Sequence, residues 1–227
     1  MSQCCSRTLA WSLLLLGLCV PGFAQVVPSD SLRNPEARPF RTHLLGVWIG
    51  GGTWNTTGVI GKMEEATLGM LAVQYQHPLG PDGQQTPFRV QYTATLFPWV
   101  HVSVPASAIP LAEPLDPPRP DPRTRFSARG IGGSPIGLQV NYRADPVVQP
   151  FLRTSVGIVY LSDALPDHRG KRLNFTIDLG IGVQSAVSDH TMLSIGYRYH
   201  HLSNGFRGRI NPGVDTHLFH LGLSYGL

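Results

Sequence analysis

Three residues near the C-terminal end have side chains that could together cleave an ester. His201 and Ser203 stand one residue apart in "HHLSNG", and Asp215 follows in "GVDTH". In such a set the histidine takes the serine proton, the serine attacks a carbonyl carbon, and the carboxylate stabilises the resulting imidazolium. A histidine and a serine at a strand end also occur by chance in solvated loops. Whether the three residues form a catalytic site or a polar loop therefore depends on how the secondary-structure elements that carry them place their side chains.

The elements are predicted by a period-two alternation of apolar and polar residues that begins at Leu45. In the clearest segment, Phe175, Ile177 and Leu179 share one face and small polar residues share the other. Each segment has at least the ten or so residues that a tilted strand needs to cross a membrane. Eight strands are predicted, at 43–53, 69–78, 87–104, 124–143, 147–161, 172–186, 191–203 and 215–227.

These strands predict an all-β fold, an eight-stranded antiparallel transmembrane β-barrel. We interpret the polar face as small and uncharged, which suits the narrow lumen of a barrel of this size. Eight strands close around an interior that side chains fill, so a diffusion pore is not expected. A soluble β-sandwich is the alternative, because its strands also alternate.

The N-terminal residues 1–24 have the features of a secretory signal peptide. Arg7 precedes an apolar run that is too short to span a membrane, and small residues precede a predicted cleavage site after Ala24. A lipoprotein signal at Cys19 is less favoured because the bulky Leu18 precedes it. All three cysteines lie within this segment, so the mature chain would have no thiol for disulfides, metal binding or catalysis. Residues 25–42 are predicted to be a periplasmic segment, and 43–227 the barrel.

The lengths of the connections indicate which end of the barrel faces outward. Connections after the even-numbered strands are shorter than those after the odd-numbered strands, and outer-membrane barrels have short periplasmic turns and longer outer loops. The proline-rich segment 105–123 is predicted to be a semi-rigid extracellular loop. In this orientation the seventh strand ends, and the eighth begins, at the outer side of the membrane.

Strand parity places His201, Ser203 and Asp215 together on the apolar, lipid-facing side of the last hairpin. A charged group on this side costs little near the interface, where the acyl esters of a surface lipid lie. His200 faces the lumen, so it cannot bind a metal ion together with His201, and no zinc-type spacing occurs elsewhere. We predict no metal and no cofactor. The chain has 18 Lys and Arg residues and 14 Asp and Glu residues. This excess of positive charge is too small to indicate nucleic-acid binding.

Four ordered blocks in the second half of the chain resemble one family. They read "GGSPIGLQVNYR", "VQPFLRTSVGIVYL", "RLNFTIDLGIGVQ" and "HHLSNGFRGRINPGVDTHLFHLGLSY". Together they resemble the lipid A deacylases of the PagL type, also called acyloxyacyl hydrolases, which are outer-membrane barrels. The resemblance implies a serine hydrolase in the cell outer membrane that removes an ester-linked acyl chain from lipid A, at the 3-position in the characterised activity.

The resemblance also implies roles for single residues. His201 matches the base, Ser203 the nucleophile and Asn204 a residue linked to the oxyanion site. Asp215 falls where the family has a glutamate, and its side chain is one methylene shorter.

The implied partner is the lipid A of outer-leaflet lipopolysaccharide, and a homodimer is a possible assembly. Lipid A is anionic, so cationic side chains beside the site are candidates for binding its phosphates. These are Arg207, Arg209, Arg169 and Lys171. A solvated basic loop is the plainer interpretation of the same residues. The alternative function is a non-catalytic outer-membrane barrel with a structural or adhesive role.

Overall fold

The computed structural model describes residues 43–54, 59–80, 87–109, 124–143 and 147–227, which form a closed antiparallel barrel of eight strands. The strands are β1 (Leu44–Trp54), β2 (Thr67–Leu79), β3 (Phe88–Pro105), β4 (Arg125–Tyr142), β5 (Val148–Leu165), β6 (Lys171–Ala186), β7 (Thr191–Ser203) and β8 (Val214–Gly226). Each strand pairs with its neighbour in sequence, and β1 pairs with β8 to close the barrel. The predicted eight-stranded barrel is confirmed, and the β-sandwich alternative is wrong.

Several predicted segments lie outside the described residues. These are the signal peptide 1–24, the whole segment 25–42, and most of the loop 105–123. At the start of that loop, β3 ends at Pro105 and a short 3₁₀ helix follows at Ala106–Ala108. In the part of the chain that the structure describes, no helix is long and apolar enough to cross a membrane.

The outer face of the barrel is apolar because the alternation sends every second side chain outward. Ile136, Ile181 and Ile195 lie on three different strands and are about 60% exposed. An exposed apolar belt of this kind is the surface that a bilayer covers in membrane barrels.

The middle of the lumen contains charged side chains among the polar ones. The prediction that the lumen-facing side of the strands is uncharged is therefore wrong. Asp178, Arg153 and Arg198 are all buried. Arg198 Nη1 lies 3.4 Å from Asp178 Oδ1, and its guanidinium lies 4.2 Å from the centre of the Trp48 ring. Arg153 Nη1 donates a hydrogen bond to Gln74 Oε1 at 2.8 Å. The charges are therefore compensated inside the barrel by one another, by amides and by an aromatic face.

The outer end of the lumen is apolar instead. Leu202, Val214 and Leu218 point inward from the last two strands and pack in one buried cluster with Met63 and Leu165. This cluster lies behind the part of the last hairpin that carries His201, Ser203 and Asp215. It gives that hairpin a packed support on its inner side.

Candidate active site

His201 and Asp215 form a hydrogen-bonded pair at the outer end of the last hairpin. Pairing of β7 with β8 sets the two residues directly opposite each other. His201 Nδ1 and Asp215 Oδ1 are 2.6 Å apart, and the side chains are only 7% and 1% exposed. Cross-strand neighbours on one face have their Cβ atoms about 4.5 to 5.5 Å apart. An aspartate therefore reaches the imidazole at this position, although it is shorter than the glutamate that the resemblance implies there.

The second carboxylate oxygen of Asp215 is held by three further donors. The Tyr199 hydroxyl donates to Oδ2 at 2.6 Å, and the backbone N–H groups of Ile60 and Gly61 donate to the same oxygen at 2.9 Å each. A carboxylate with this many donors is both fixed in orientation and stabilised as the anion. These three residues were not predicted from the sequence. Only Tyr199 carried a signal, because strand parity puts it on the face of His201.

The segment after β1 covers the His201–Asp215 pair. Lys62 N–H donates to Pro212 O at 2.7 Å, and Met63 forms a short parallel bridge with Val214. A Cβ atom on Gly61 would lie 2.8 Å from Asp215 Oδ1. Only a glycine fits there without displacing its neighbours.

Gly213 lies beside Gly61 and packs against the His201 ring. It has a φ of +67°, and a Cβ atom there would lie 3.0 Å from His201 Cε1. An L side chain would therefore be strained by the backbone and would press on the imidazole. The histidine is buried on a lipid-facing side because these two glycines allow the backbone to approach it.

Ser203 is the last residue of β7 and lies on the same face as His201. It is half-buried and stands opposite Phe175 of β6. Neither Ser203 Oγ nor His201 Nε2 forms a hydrogen bond with any residue that the structure describes. Proton transfer requires these two atoms to meet, and such contacts commonly tighten only when substrate binds.

Asn204 organises the loop between the last two strands. Its Nδ2 donates to Ile210 O at 2.7 Å, its Oδ1 accepts from Gly208 N–H at 3.3 Å, and its own N–H donates to Asn211 Oδ1 at 2.9 Å. The side chain is buried. An amide nitrogen carries two hydrogens, and Nδ2 uses one of them in the bond to Ile210. The oxyanion role of Asn204 stays a prediction.

Arg207, one of the predicted phosphate ligands, contacts the strand that pairs with Ser203. Its guanidinium lies 4.7 Å from the centre of the Phe175 ring, and its Nη2 donates to Leu173 O at 2.7 Å. Because Phe175 stands opposite Ser203, these contacts hold the charge on the neighbouring strand, close to Ser203. The side chains of Arg209 and Lys171 are exposed at the same rim.

Arg169 differs from the other three cations because it forms an ion pair within its own loop. Its guanidinium forms a 2.8 Å ion pair with Asp167. Burial raises the pKa of the Asp167 carboxyl, but the hydrogen bonds and charge of Arg169 outweigh it, so that pKa lies below its usual value. The Arg169 carbonyl accepts the Arg209 N–H at 2.7 Å. Arg169 thus joins two outer loops, and its phosphate-binding role stays a prediction.

The fold and these residues together define an eight-stranded membrane barrel that carries a serine, a histidine and an aspartate on one face of its outer rim. The model of the lipid A 3-O-deacylase (PagL) family matches residues 69–224, and the chain belongs to this family. As a member of this family, the protein is located in the cell outer membrane.

Comparison with solved structures finds other outer-membrane barrels. The crystal structure of the outer membrane enzyme PagL is 14% identical, covering 79% of this chain and 97% of that chain, with a TM-score of 0.49. Neisserial surface protein A is 13% identical, with coverages of 82% and 96% and a TM-score of 0.43. The outer membrane protein OprG from Pseudomonas aeruginosa is 11% identical, with the same coverages and a TM-score of 0.45. Comparison with curated protein sequences gives no match.

Proposed function

We propose that this protein is a serine esterase that removes the 3-position acyl chain of lipid A. Family membership supports the substrate. The observation that carries the mechanism is the 2.6 Å hydrogen bond between His201 and Asp215, on the outer-rim face that also bears Ser203. A carboxylate, an imidazole and a hydroxyl on one face are the groups that ester cleavage needs.

The proposed reaction begins with the tautomer of His201. Asp215 accepts a hydrogen bond from Nδ1–H, and this tautomer leaves Nε2 unprotonated so that it can act as the base. Nε2 takes the proton of Ser203 Oγ while Oγ attacks the ester carbonyl carbon, and Asn204 donates to the oxyanion. Collapse of this intermediate breaks the bond to the sugar oxygen, which receives the proton from His201. Water then releases the fatty acid from Ser203 by the same steps.

The surroundings of the three residues suit an anionic lipid. The exposed cations Arg207, Arg209 and Lys171 lie at the rim where lipid phosphates would be, and the apolar outer face below is in contact with acyl chains. A guanidinium binds a phosphate through paired hydrogen bonds, so the arginines would orient the substrate. The homodimer stays a prediction.

Mass spectrometry of lipid A tests the proposal. We expect outer membranes with the wild-type protein to contain lipid A that lacks one hydroxyacyl chain, and fragmentation to locate the loss at the 3-position. Ser203→Ala should leave lipid A intact, while the control Ser188→Ala, at the periplasmic end, should act like the wild type. Intact lipid A with the wild-type protein would exclude the enzyme, and equal loss with Ser203→Ala would exclude Ser203 as nucleophile.

A non-catalytic barrel is the second candidate function. It is favoured by the absence of a hydrogen bond between Ser203 Oγ and any described residue, and by an aspartate where the family has a glutamate. Heat-modifiable migration on a gel would show a folded barrel for every variant. Folded wild-type protein in the outer membrane with unaltered lipid A would favour this candidate.

A further inference from the structure

Four hydrogen bonds converge on the carboxylate of Asp215, and only one of them comes from His201. We propose that Tyr199 and the segment 60–63 are positioning elements that hold the shorter acid of this protein on its base. They would act through Asp215 and not on the substrate. This inference rests on the proposed function, because it concerns the residues that hold the proposed catalytic acid in place.

The two oxygens of Asp215 have separate partners. Oδ1 faces His201 Nδ1 at 2.6 Å, whereas Oδ2 accepts from the Tyr199 hydroxyl, also at 2.6 Å. Tying one oxygen prevents rotation of the carboxylate about its Cβ–Cγ bond. The other oxygen then stays directed at the imidazole, and the tautomer needed for catalysis is maintained.

The segment 60–63 adds donors that are themselves anchored. Ile60 and Gly61 give two backbone N–H groups to Oδ2. The next two residues attach the segment to the chain just before Asp215, through the bond from Lys62 to Pro212 and the bridge from Met63 to Val214. Met63 is also fully buried in the apolar cluster. The donors are therefore fixed relative to the carboxylate and need no rearrangement during the reaction.

Tyr197 provides a matched control for Tyr199. It lies on the same strand and the same face, but its hydroxyl is hydrogen-bonded to His217 Nδ1 and not to Asp215. Removing either hydroxyl deletes one oxygen atom from a tyrosine on β7. Only removal of the Tyr199 hydroxyl should change the orientation of Asp215 and so affect His201.

A double-mutant cycle tests whether Tyr199 acts through Asp215. Tyr199→Phe should lower kcat by about 10- to 100-fold with KM unchanged, the worth of one hydrogen bond to a charged group. In an Asp215→Asn background the same substitution should change kcat by less than about 3-fold, because coupled groups are not additive. Tyr197→Phe should match the wild type. An equal fold loss in both backgrounds, or no loss in the wild-type background, would overturn the proposal.

The segment is tested by Gly61→Ala, which should displace the two N–H donors and lower kcat by about 10-fold or more. Glu64→Ala, an exposed position in the same connection, is the control and should retain activity. Loss of activity in both variants would mean that the segment contributes only to folding.

A spectroscopic measurement separates this inference from the proposed function. In protein labelled with ¹⁵N-histidine, the Nδ1 proton of His201 should give a low-field NMR signal that moves in Tyr199→Phe and stays in Tyr197→Phe. An unchanged signal in Tyr199→Phe would refute the positioning role. If wild-type protein left lipid A intact but the signal moved, the proposed function would fail while the positioning role stood.

Discussion

Asp215 lies directly opposite His201 across the β7–β8 pairing, and the short hydrogen bond between them joins two strands at the outer rim of the barrel. Because the side-chain period of a strand is two, a slip of one residue in this register would turn the aspartate into the lumen. The pair therefore depends on the barrel closing in one register. The chemistry proposed for the hairpin follows from that register.

The length of the acid is the first point to test. Asp215→Asn should lower kcat by about 10⁴-fold with the fold intact, because an amide stabilises neither the required tautomer nor the imidazolium. Asp215→Glu should also lower kcat, by about 10-fold, even though the family has glutamate. The extra methylene would be forced against Gly61, which already leaves no room for a Cβ atom. Rates on purified lipid A measure both effects, and an Asp215→Glu variant faster than the wild type would contradict this account.

Gly213→Ala should lower activity by about 10-fold or more. The new Cβ atom would lie 3.0 Å from His201 Cε1, and the backbone has a positive φ of +67°. Gly80→Ala separates the two effects, since Gly80 also has a positive φ but open space around it at the other end of the barrel. Activity assays on both variants should find the loss only in Gly213→Ala. A similar loss in Gly80→Ala would point to general strain.

Replacing Arg207 and Arg209 with alanine should weaken turnover of lipid A more than turnover of a neutral ester. The physical reason is that the guanidinium groups bind phosphate and do not take part in bond cleavage. We expect KM for lipid A to rise by about 10-fold, with kcat on the neutral ester unchanged. Arg129→Ala, an exposed arginine on β4, is the control. Equal losses on both substrates would exclude phosphate binding as the role of these arginines.

Replacing a charged residue of the lumen should lower the stability of the barrel without changing catalysis. Asp178→Asn should lower the free energy of unfolding by about 3 kcal/mol or more, because it leaves the buried Arg198 without its carboxylate. Adding Arg198→Met should recover part of this loss, since the remaining charge is then smaller. Urea unfolding from lipid vesicles measures both variants, with the exposed Asp163→Asn as control. An additive loss in the double variant would show that the two residues are not coupled.

The strands and their faces were predictable from sequence because alternation is a local property. The predicted strand 191–203 coincides with β7 (Thr191–Ser203). The largest difference is at β5, which was predicted to end at 161 and continues to Leu165. There the apolar alternation stops, with Ser162 and Asp163 both exposed, while the backbone continues in strand pairing. The strand end was predicted from the apolar face alone, so the polar end of the strand was not recognised.

By itself, the sequence determined that His201, Ser203 and Asp215 lie on one face of the last hairpin, because the period of a strand fixes the side on which each residue points. Only the tertiary structure decided how that face is completed. Gly61 and Ile60 reach Asp215 from positions 154 and 155 residues away, and Asp178 meets Arg198 only because β6 and β7 pair in one register. Such contacts depend on the closure of the barrel and on loop paths, and no local pattern of residues encodes them.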